Sequence, residues 1–185
     1  MKKIMLFTLF AFVCGSVAFA QEVSSTDLPQ LKKQVVELLG QKYPDYSVLQ
    51  SKDTSQSLQR YFESKHPNEY PGLVFGNFRH PSITDCAVLL VDSKKPELGI
   101  KLLVLVLDIN ASHPEVQIVQ DYKNEKDPLL EVYLSYEQRR TIADVEKNSW
   151  VDMPSAGFSL NPFDRGGERV FYWNNEKLKS VWVTD

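Results

Sequence analysis

The chain has 185 residues, of which 43% are hydrophobic, and a formal net charge of −3 at pH 7. This length suits one domain with a sizeable core, and the mild acidity argues against binding to nucleic acid or to anionic membrane surfaces, since both attract basic patches. The cysteines are Cys14 and Cys86, so a chain that loses its first segment cannot form an internal disulfide.

That first segment has the features of a bacterial signal peptide. Lys2-Lys3 forms a positive start, residues 4–13 are apolar, and Ala18-Phe19-Ala20 resembles a cleavage site. The apolar run is shorter than the roughly 20 residues that cross a bilayer. We therefore predict cleavage after Ala20, a single mature domain over 21–185, and a periplasmic or secreted location with no stable membrane anchor.

Helices are predicted at the start of the mature chain. Apolar residues recur at helical spacing from Leu28 to Leu39, with Thr26-Asp27 as the cap and Pro29 in the first turn. Gly40 and Pro44 are expected to end this helix. A short strand is predicted at 46–50, and a second helix or turn at 55–65.

The strongest strand signals follow at 72–76, 86–91 and 100–107. These segments are almost continuous in Val, Leu and Ile, which predicts burial on both faces and therefore central strands. Further strands are predicted at 116–122 and 129–136, nearer the edge of a sheet.

The C-terminal third is predicted to contain a short helix at 141–148 and a long surface loop at 149–168, with a possible strand at 157–160. Val170–Trp173 and Leu178–Val183 flank a turn-forming stretch, which predicts a hairpin. The predicted fold class is α+β, with an antiparallel β-sheet and the N-terminal helix packed on one of its faces.

The chain carries no recognisable catalytic, cofactor or metal motif. His66, His80 and His113 do not have the spacing of a zinc site. Cys86 and His80 could form a nucleophile and base, but a thiol in an apolar strand is a poor nucleophile because burial raises its pKa. We assign no catalytic residue, no metal ligand and no cofactor.

Aromatic residues are concentrated near the C-terminus. Phe171 and Trp173 share one face of the predicted strand, and Val170 and Tyr172 share the other. One face belongs to the core, and the other is either covered by the N-terminal helix or exposed as an aromatic patch. In the second case, a candidate binding surface contains Phe171, Trp173 and Trp182.

Two blocks resemble a known type of segment. Gly76-Asn77-Phe78, Asp85 and 87–90 resemble the "GDFNGDGxxDYAVLL" element of FG-GAP/VCBS-like segments, which also occurs in small uncharacterised bacterial periplasmic proteins. The C-terminal stretch "FYWNNEKLKSVWVTD" is similar to the aromatic hairpin that closes such proteins. The resemblance implies a loop of the shape that binds calcium, with oxygen ligands at its first, third, fifth and ninth positions.

In this chain those positions hold Asn77, Arg79, Pro81 and Asp85. One carboxylate and one amide cannot supply the roughly six to eight oxygens that Ca²⁺ takes. Arg79 places a permanent cation where a ligand oxygen is expected. We therefore predict a loop ion pair between Arg79 and Asp85 in place of a metal.

These patterns favour an exported, non-catalytic binding module of inhibitor or immunity type whose partner is another envelope protein. The alternative is an envelope hydrolase with a site in the 155–168 region, where Asp164, Arg165 and Glu168 cluster. A concave pocket that joins these residues to a carboxylate or histidine favours the hydrolase, and a flat or convex surface with exposed Trp173 or Trp182 favours the binder.

Overall fold

The computed structural model describes residues 27–66, 69–123, 131–163 and 166–184. The predicted signal segment lies outside these residues. In chain order, the helices and strands are α1 (Leu28–Lys42), β1 (Tyr46–Val48), α2 (Gln56–Lys65), β2 (Leu73–Gly76), β3 (Asp85–Asp92), β4 (Ile100–Leu107), β5 (Glu115–Asp121), β6 (Val132–Glu137), β7 (Thr141–Asp144), β8 (Ser149–Asp152), β9 (Gly157–Pro162), β10 (Glu168–Asn174) and β11 (Lys177–Val183). The paired strands are antiparallel, which confirms the α+β class.

Helix α1 begins where the sequence predicts and continues past Gly40. Pro29 occupies the first turn, and the helix ends at Tyr43, whose N–H donates to the Leu39 carbonyl at 2.7 Å. A glycine inside a helix costs only about 1 kcal/mol, so it does not stop the helix. Pro44 disfavours helical geometry at the residue before it, and this restriction coincides with the actual end.

A five-stranded sheet has the order β1-β3-β4-β5, and β2 pairs with the other half of the β3 edge that β1 occupies. The β3 and β4 side chains are buried on both faces, which confirms these two strands as central. Strand β2 is not central, because Val74 and Phe75 are only half-buried. Its apolar run covers one end of β3 instead of crossing the middle of the sheet.

A second sheet has the order β11-β10-β9-β6, whereas one sheet was predicted. The main apolar cluster joins alternating residues of the first sheet to residues of the second. Its members include Ala87, Leu89, Leu103, Leu105, Val132, Leu134, Phe158, Leu160 and Phe171. The main core therefore lies between two facing sheets, as in other packed pairs of sheets.

The opposite face of the first sheet belongs to a separate cluster. Its members from the sheet and from α1 are Cys86, Val88 and Leu90 of β3, Leu102, Val104 and Val106 of β4, and Leu31, Val35 and Leu39 of α1. Each face of β3 and β4 thus has its own apolar surroundings, which explains why these two strands carry continuous apolar runs.

The predicted helix at 141–148 is wrong, and the predicted loop at 149–168 is wrong over most of its length. Strands β7 and β8 form a hairpin, with Asn148 at a φ of 49° in the connection. Strand β9 is a buried inner strand of the second sheet. Asn148 has a left-handed backbone conformation, which asparagine tolerates better than most residues. The chain can therefore reverse direction at this turn instead of forming a helix.

Residues in the region of β7 and β8 cover the outer face of the C-terminal hairpin. Val170, Tyr172 and Val181 cluster with Ile142 and Met153, so the cover comes from the region of β7 and β8 and not from the N-terminal helix. The predicted hairpin of β10 and β11 is confirmed, with Asn174 paired to Lys177. Asn175 and Glu176 have φ values of 48° and 60°, as a two-residue turn of type I′ requires.

The stacked rings at the centre of the core give a direct test of the two-sheet packing. Phe158 is fully buried, and its ring lies parallel to that of Phe171 with centroids 4.9 Å apart. We expect Phe158→Ala to lower the free energy of unfolding by about 3–5 kcal/mol, because it opens a cavity between the sheets. Urea unfolding measures this, with Ile118→Ala on the exposed edge strand β5 as the control. A loss no larger than that of the control would contradict the packing.

Candidate functional site

The carboxylate of Asp85 lies at the first position of β3 and is fully buried. Arg79, in the loop between β2 and β3, donates from Nη2 to Oδ1 at 2.8 Å and from Nε to both carboxylate oxygens at 3.2 Å. Two donors of one guanidinium thus face two oxygens of one carboxylate, the arrangement that gives arginine–carboxylate pairs their fixed geometry. The structure therefore holds the Arg79 side chain in one orientation.

Asp85 also holds the turn that follows β4. Its Oδ1 accepts a hydrogen bond from the backbone N–H of Asp108 at 2.9 Å. Asp108 has a φ of 53°, a conformation that is uncommon for residues other than glycine. The next residue, Ile109, donates its N–H to the Thr84 carbonyl at 3.0 Å. One buried carboxylate therefore joins the β2–β3 loop to the end of β4.

The rest of the β2–β3 loop is closed by its own residues. Asn77 donates from its side-chain amide to the Pro81 carbonyl at 2.7 Å. Phe78 is buried in the main core, where its ring centroid lies 5.3 Å from that of Phe158. A side chain at Gly76 would collide with the rings of Phe78 and Tyr136, so this glycine allows the close approach. The loop is thus built around an apolar anchor and an ion pair.

A groove of about 950 Å³ lies beside Arg79, at one end of the two facing sheets. The first sheet contributes Leu107 and Glu115 to its lining, and the second contributes Trp173 and Leu178. Trp173 and Leu178 also pack against the main core. The volume falls within the range of roughly 300–1,000 Å³ that is usual for ligand sites, so the space between the sheets opens into a site of ligand size.

Arg79 and Trp173 form part of the wall of this groove. The Cζ atom of Arg79 lies 5.9 Å from the centre of the Trp173 ring, which is within the distance of a cation–π contact. Nη1 of Arg79 makes no hydrogen bond to any residue in the described ranges. The groove is therefore lined by an aromatic ring that packs against the main core and by an arginine whose guanidinium is bound to Asp85.

The three aromatic residues predicted to form a binding surface differ in exposure and do not all line the groove. Trp173 lines the groove, and Phe171 is only 2% exposed, so its ring belongs to the core. Trp182 is 38% exposed, but it pairs with Arg169 at the far end of the hairpin. The prediction that included Phe171 is corrected, because Phe171 points between the sheets, where it stacks on Phe158.

The most exposed tryptophan was missed. Trp150, on β8, is 77% exposed. The pattern predicts a helix at 141–148 and a loop after it, and a loop prediction does not indicate on which side this ring lies. It does not line the groove, and the two tryptophans therefore provide a matched pair for experiment.

Cys86 is fully buried, as expected from its apolar strand. Burial raises the pKa of its thiol well above the usual range, so the thiol stays protonated at neutral pH. His80 is exposed, and its Nδ1 lies 2.8 Å from the Ser82 hydroxyl. The Cys86–His80 pair is thus not assembled.

The other histidines lie elsewhere on the surface. His66 follows α2, with Nδ1 3.1 Å from a carboxylate oxygen of Glu69 and Nε2 3.2 Å from the hydroxyl of Tyr61. His113 is exposed between β4 and β5. Within the described ranges, no group of three His, Cys, Asp or Glu residues is placed to hold a metal ion.

A second polar cluster lies on the outer face of β6 and β9, near the region favoured for a hydrolase. The hydroxyl of Ser159 donates to Glu137 Oε1 at 2.7 Å and lies 2.7 Å from the hydroxyl of Ser135. The Asn161 amide donates to both hydroxyls, at 2.9 and 3.0 Å. Burial raises the pKa of the Glu137 carboxyl, against the lowering effect of its Ser159 hydrogen bond.

Glu168 meets this cluster through an arginine. Arg140 Nη2 lies 2.7 Å from Glu168 Oε1 and 2.8 Å from Glu137 Oε2. Asp164 and Arg165, the other residues of the predicted hydrolase site, lie outside the described residues. The groove beside Arg79 does not include Glu168, so the concave pocket and the carboxylate cluster are separate features.

No family model, curated protein or solved structure matches this chain significantly. No helix in the described part of the chain is long and apolar enough to cross a membrane.

The role of Asp85 is tested by Asp85→Ala. We expect the free energy of unfolding to fall by about 3–5 kcal/mol, because Arg79 is left without its partner beside a buried cavity. The Asp108 N–H also loses its acceptor. Chemical unfolding measures the change, and Asp45→Ala, at an exposed position before β1, is the control. Equal stabilities of the two variants would rule out a structural role for the pair.

The raised pKa of the Glu137 carboxyl predicts how the free energy of unfolding depends on pH. An acid whose pKa is raised by folding binds more protons in the folded than in the unfolded chain, so its contribution to stability falls as the pH rises above about 4.3. We expect Glu137→Gln to lose less stability than the unaltered protein between pH 4 and pH 7. Urea unfolding at both pH values measures this, with Glu63→Gln on the exposed side of α2 as the control. An unchanged pH slope would contradict the assignment.

Proposed function

We propose that this protein is an exported bacterial binding module that acts in the periplasm without catalysis, as an inhibitor- or immunity-type factor. Its partner is another envelope protein, and the groove beside Arg79 is the site of contact. Support for export comes from the charged and apolar start of the chain. Support for binding comes from the groove itself.

The observation that carries the proposal is the fixed wall of the groove. Arg79 is held by Asp85, and Trp173 packs against the main core. Side chains that are already immobile lose little entropy on binding, which favours affinity. Tryptophan and arginine are also the residues most enriched among those that dominate binding energies.

We also infer that α1 packs on the face of the first sheet opposite the groove. Leu31, Val35 and Leu39 share a buried cluster with Val88 and Val104 of that face. Such an arrangement keeps the helix away from the groove, so partner binding needs no movement of α1.

The hydrolase alternative has one observation in its favour, the short contact between Ser159 and Glu137. A nucleophilic serine must be activated by a neighbouring base and must reach the substrate. Ser159 is 0% exposed, and its hydroxyl is enclosed by Ser135, Glu137 and Asn161. This burial favours a structural role for the cluster and thereby the binding module.

The proposal is tested by affinity capture from envelope extract of the source bacterium with three forms of the mature protein. We expect the unaltered protein and Trp150→Ala to retain the same stoichiometric partner, and Trp173→Ala to lose it. Trp150 is the matched control, because it is an exposed tryptophan outside the groove.

Thermal melting of all three forms checks that Trp173→Ala remains folded. Capture of the same partner by Trp173→Ala as by the unaltered protein would contradict a contact at the groove. Failure of the unaltered protein to retain any partner across detergents and salt concentrations would contradict the binding function.

A further inference from the structure

The rim of the groove carries charges that the protein itself does not neutralise. Lys177, Lys179, Glu115 and Glu176 line it and are exposed. None of the four forms an ion pair or a side-chain hydrogen bond to another described residue. Elsewhere, buried or half-buried carboxylates such as Asp85 and Asp144 have a basic partner. The groove thus offers two ammonium groups and two carboxylates to a ligand.

Apolar side chains also line the groove. They are Leu107, Leu178 and the ring of Trp173, which lie there together with the amide side chain of Gln117. The groove therefore offers apolar contacts as well as charged and polar groups. An amide at the wall matches the hydrogen-bonding groups of a peptide backbone.

We propose that the groove recognises a short peptide segment that carries one ammonium group and one carboxylate on either side of apolar side chains. The carboxylate contacts Arg79, the ammonium contacts Glu115, and the apolar side chains contact Trp173 and Leu178. This inference rests on the proposed binding function and defines the chemistry of the partner.

The balance of charge argues against other ligands. Polyanions such as nucleic acids select surfaces with a clear excess of positive charge, whereas Glu115 and Glu176 offset the two lysines. A neutral oligosaccharide would use Trp173 but would leave the unpaired charges without a role.

The first experiment uses trileucine, whose free ends supply both charges, and two derivatives that each lack one charge: N-acetyl-trileucine and trileucine amide. Isothermal titration calorimetry with the mature protein measures binding. We expect trileucine to bind with a Kd below about 1 mM. Each derivative should bind roughly two- to fivefold more weakly, the usual worth of an exposed ion pair.

The second experiment locates the charge contact. Glu115→Gln should weaken the binding of trileucine and leave the binding of N-acetyl-trileucine unchanged, because that derivative has no ammonium group to lose a partner. Glu97→Gln is the matched control, since Glu97 is exposed before β4, at the opposite end of that strand from Leu107. Equal weakening of both peptides by Glu115→Gln would overturn the proposed contact.

The outcomes also separate this inference from the proposed function. Equal affinities for trileucine and both derivatives, or tighter binding of the neutral sugar maltotriose, would overturn recognition of a charged peptide. No binding of trileucine at millimolar concentrations would overturn it as well. If envelope extract still yields a partner that Trp173→Ala does not retain, the binding function stands and only the peptide class is wrong.

Discussion

The buried carboxylate of Asp85 imposes the constraint on which this end of the molecule depends. A carboxylate removed from water is very unfavourable unless it is paired and hydrogen-bonded, and here Arg79 and the Asp108 N–H supply the required donors. The pairing fixes the β2–β3 loop, the start of β3 and the turn after β4 relative to one another. A shift of the β2–β3 loop or of the turn after β4 would remove part of this hydrogen bonding from a buried charge, so the pairing favours the observed arrangement of this end of the first sheet.

The position of the groove follows from this constraint together with the packing of rings. Phe158 and Phe171 are paired on neighbouring strands of the second sheet and stack on one another, and Phe78 from the β2–β3 loop contacts Phe158. Beyond them, Trp173 is the last aromatic ring of β10, and Arg79 lies beside it. The core ends there because the hairpin turn at Asn175 and Glu176 supplies no apolar side chain. The groove lies next to this turn, where no further layer of core side chains follows.

The parts of the fold that were predicted correctly depend on local signals. Strands β3 and β4 follow from continuous apolar runs, and the C-terminal hairpin follows from its turn residues. The β7–β8 hairpin was missed because "ADVEKN" contains good helix formers, and its conformation depends on Asn148 and on the apolar surface of Val170 and Val181. The division into two sheets was missed for a related reason: β6 pairs with β9 across the intervening hairpin, and no local pattern encodes that partner. Arg79, Asp85 and Trp173 were each singled out, but the position of the Arg79–Asp85 pair beside Trp173 depends on contacts between distant parts of the chain.

The two polar regions of the second sheet differ in a way that bears on function. In the Glu137 cluster, Ser135, Ser159 and Asn161 are joined by hydrogen bonds to one another and to Glu137. Arg140 forms ion pairs with the carboxylates of Glu137 and Glu168. A ligand that bound at Glu137 or Ser159 would have to break hydrogen bonds that are already made, and both of these residues are buried. The groove differs, because its charged side chains Lys177, Lys179, Glu115 and Glu176 are exposed to solvent and its Arg79 guanidinium is already bound to Asp85. A ligand that binds there displaces water without breaking hydrogen bonds inside the protein. On physical grounds, the groove beside Arg79 is therefore more favourable for binding than the Glu137 cluster.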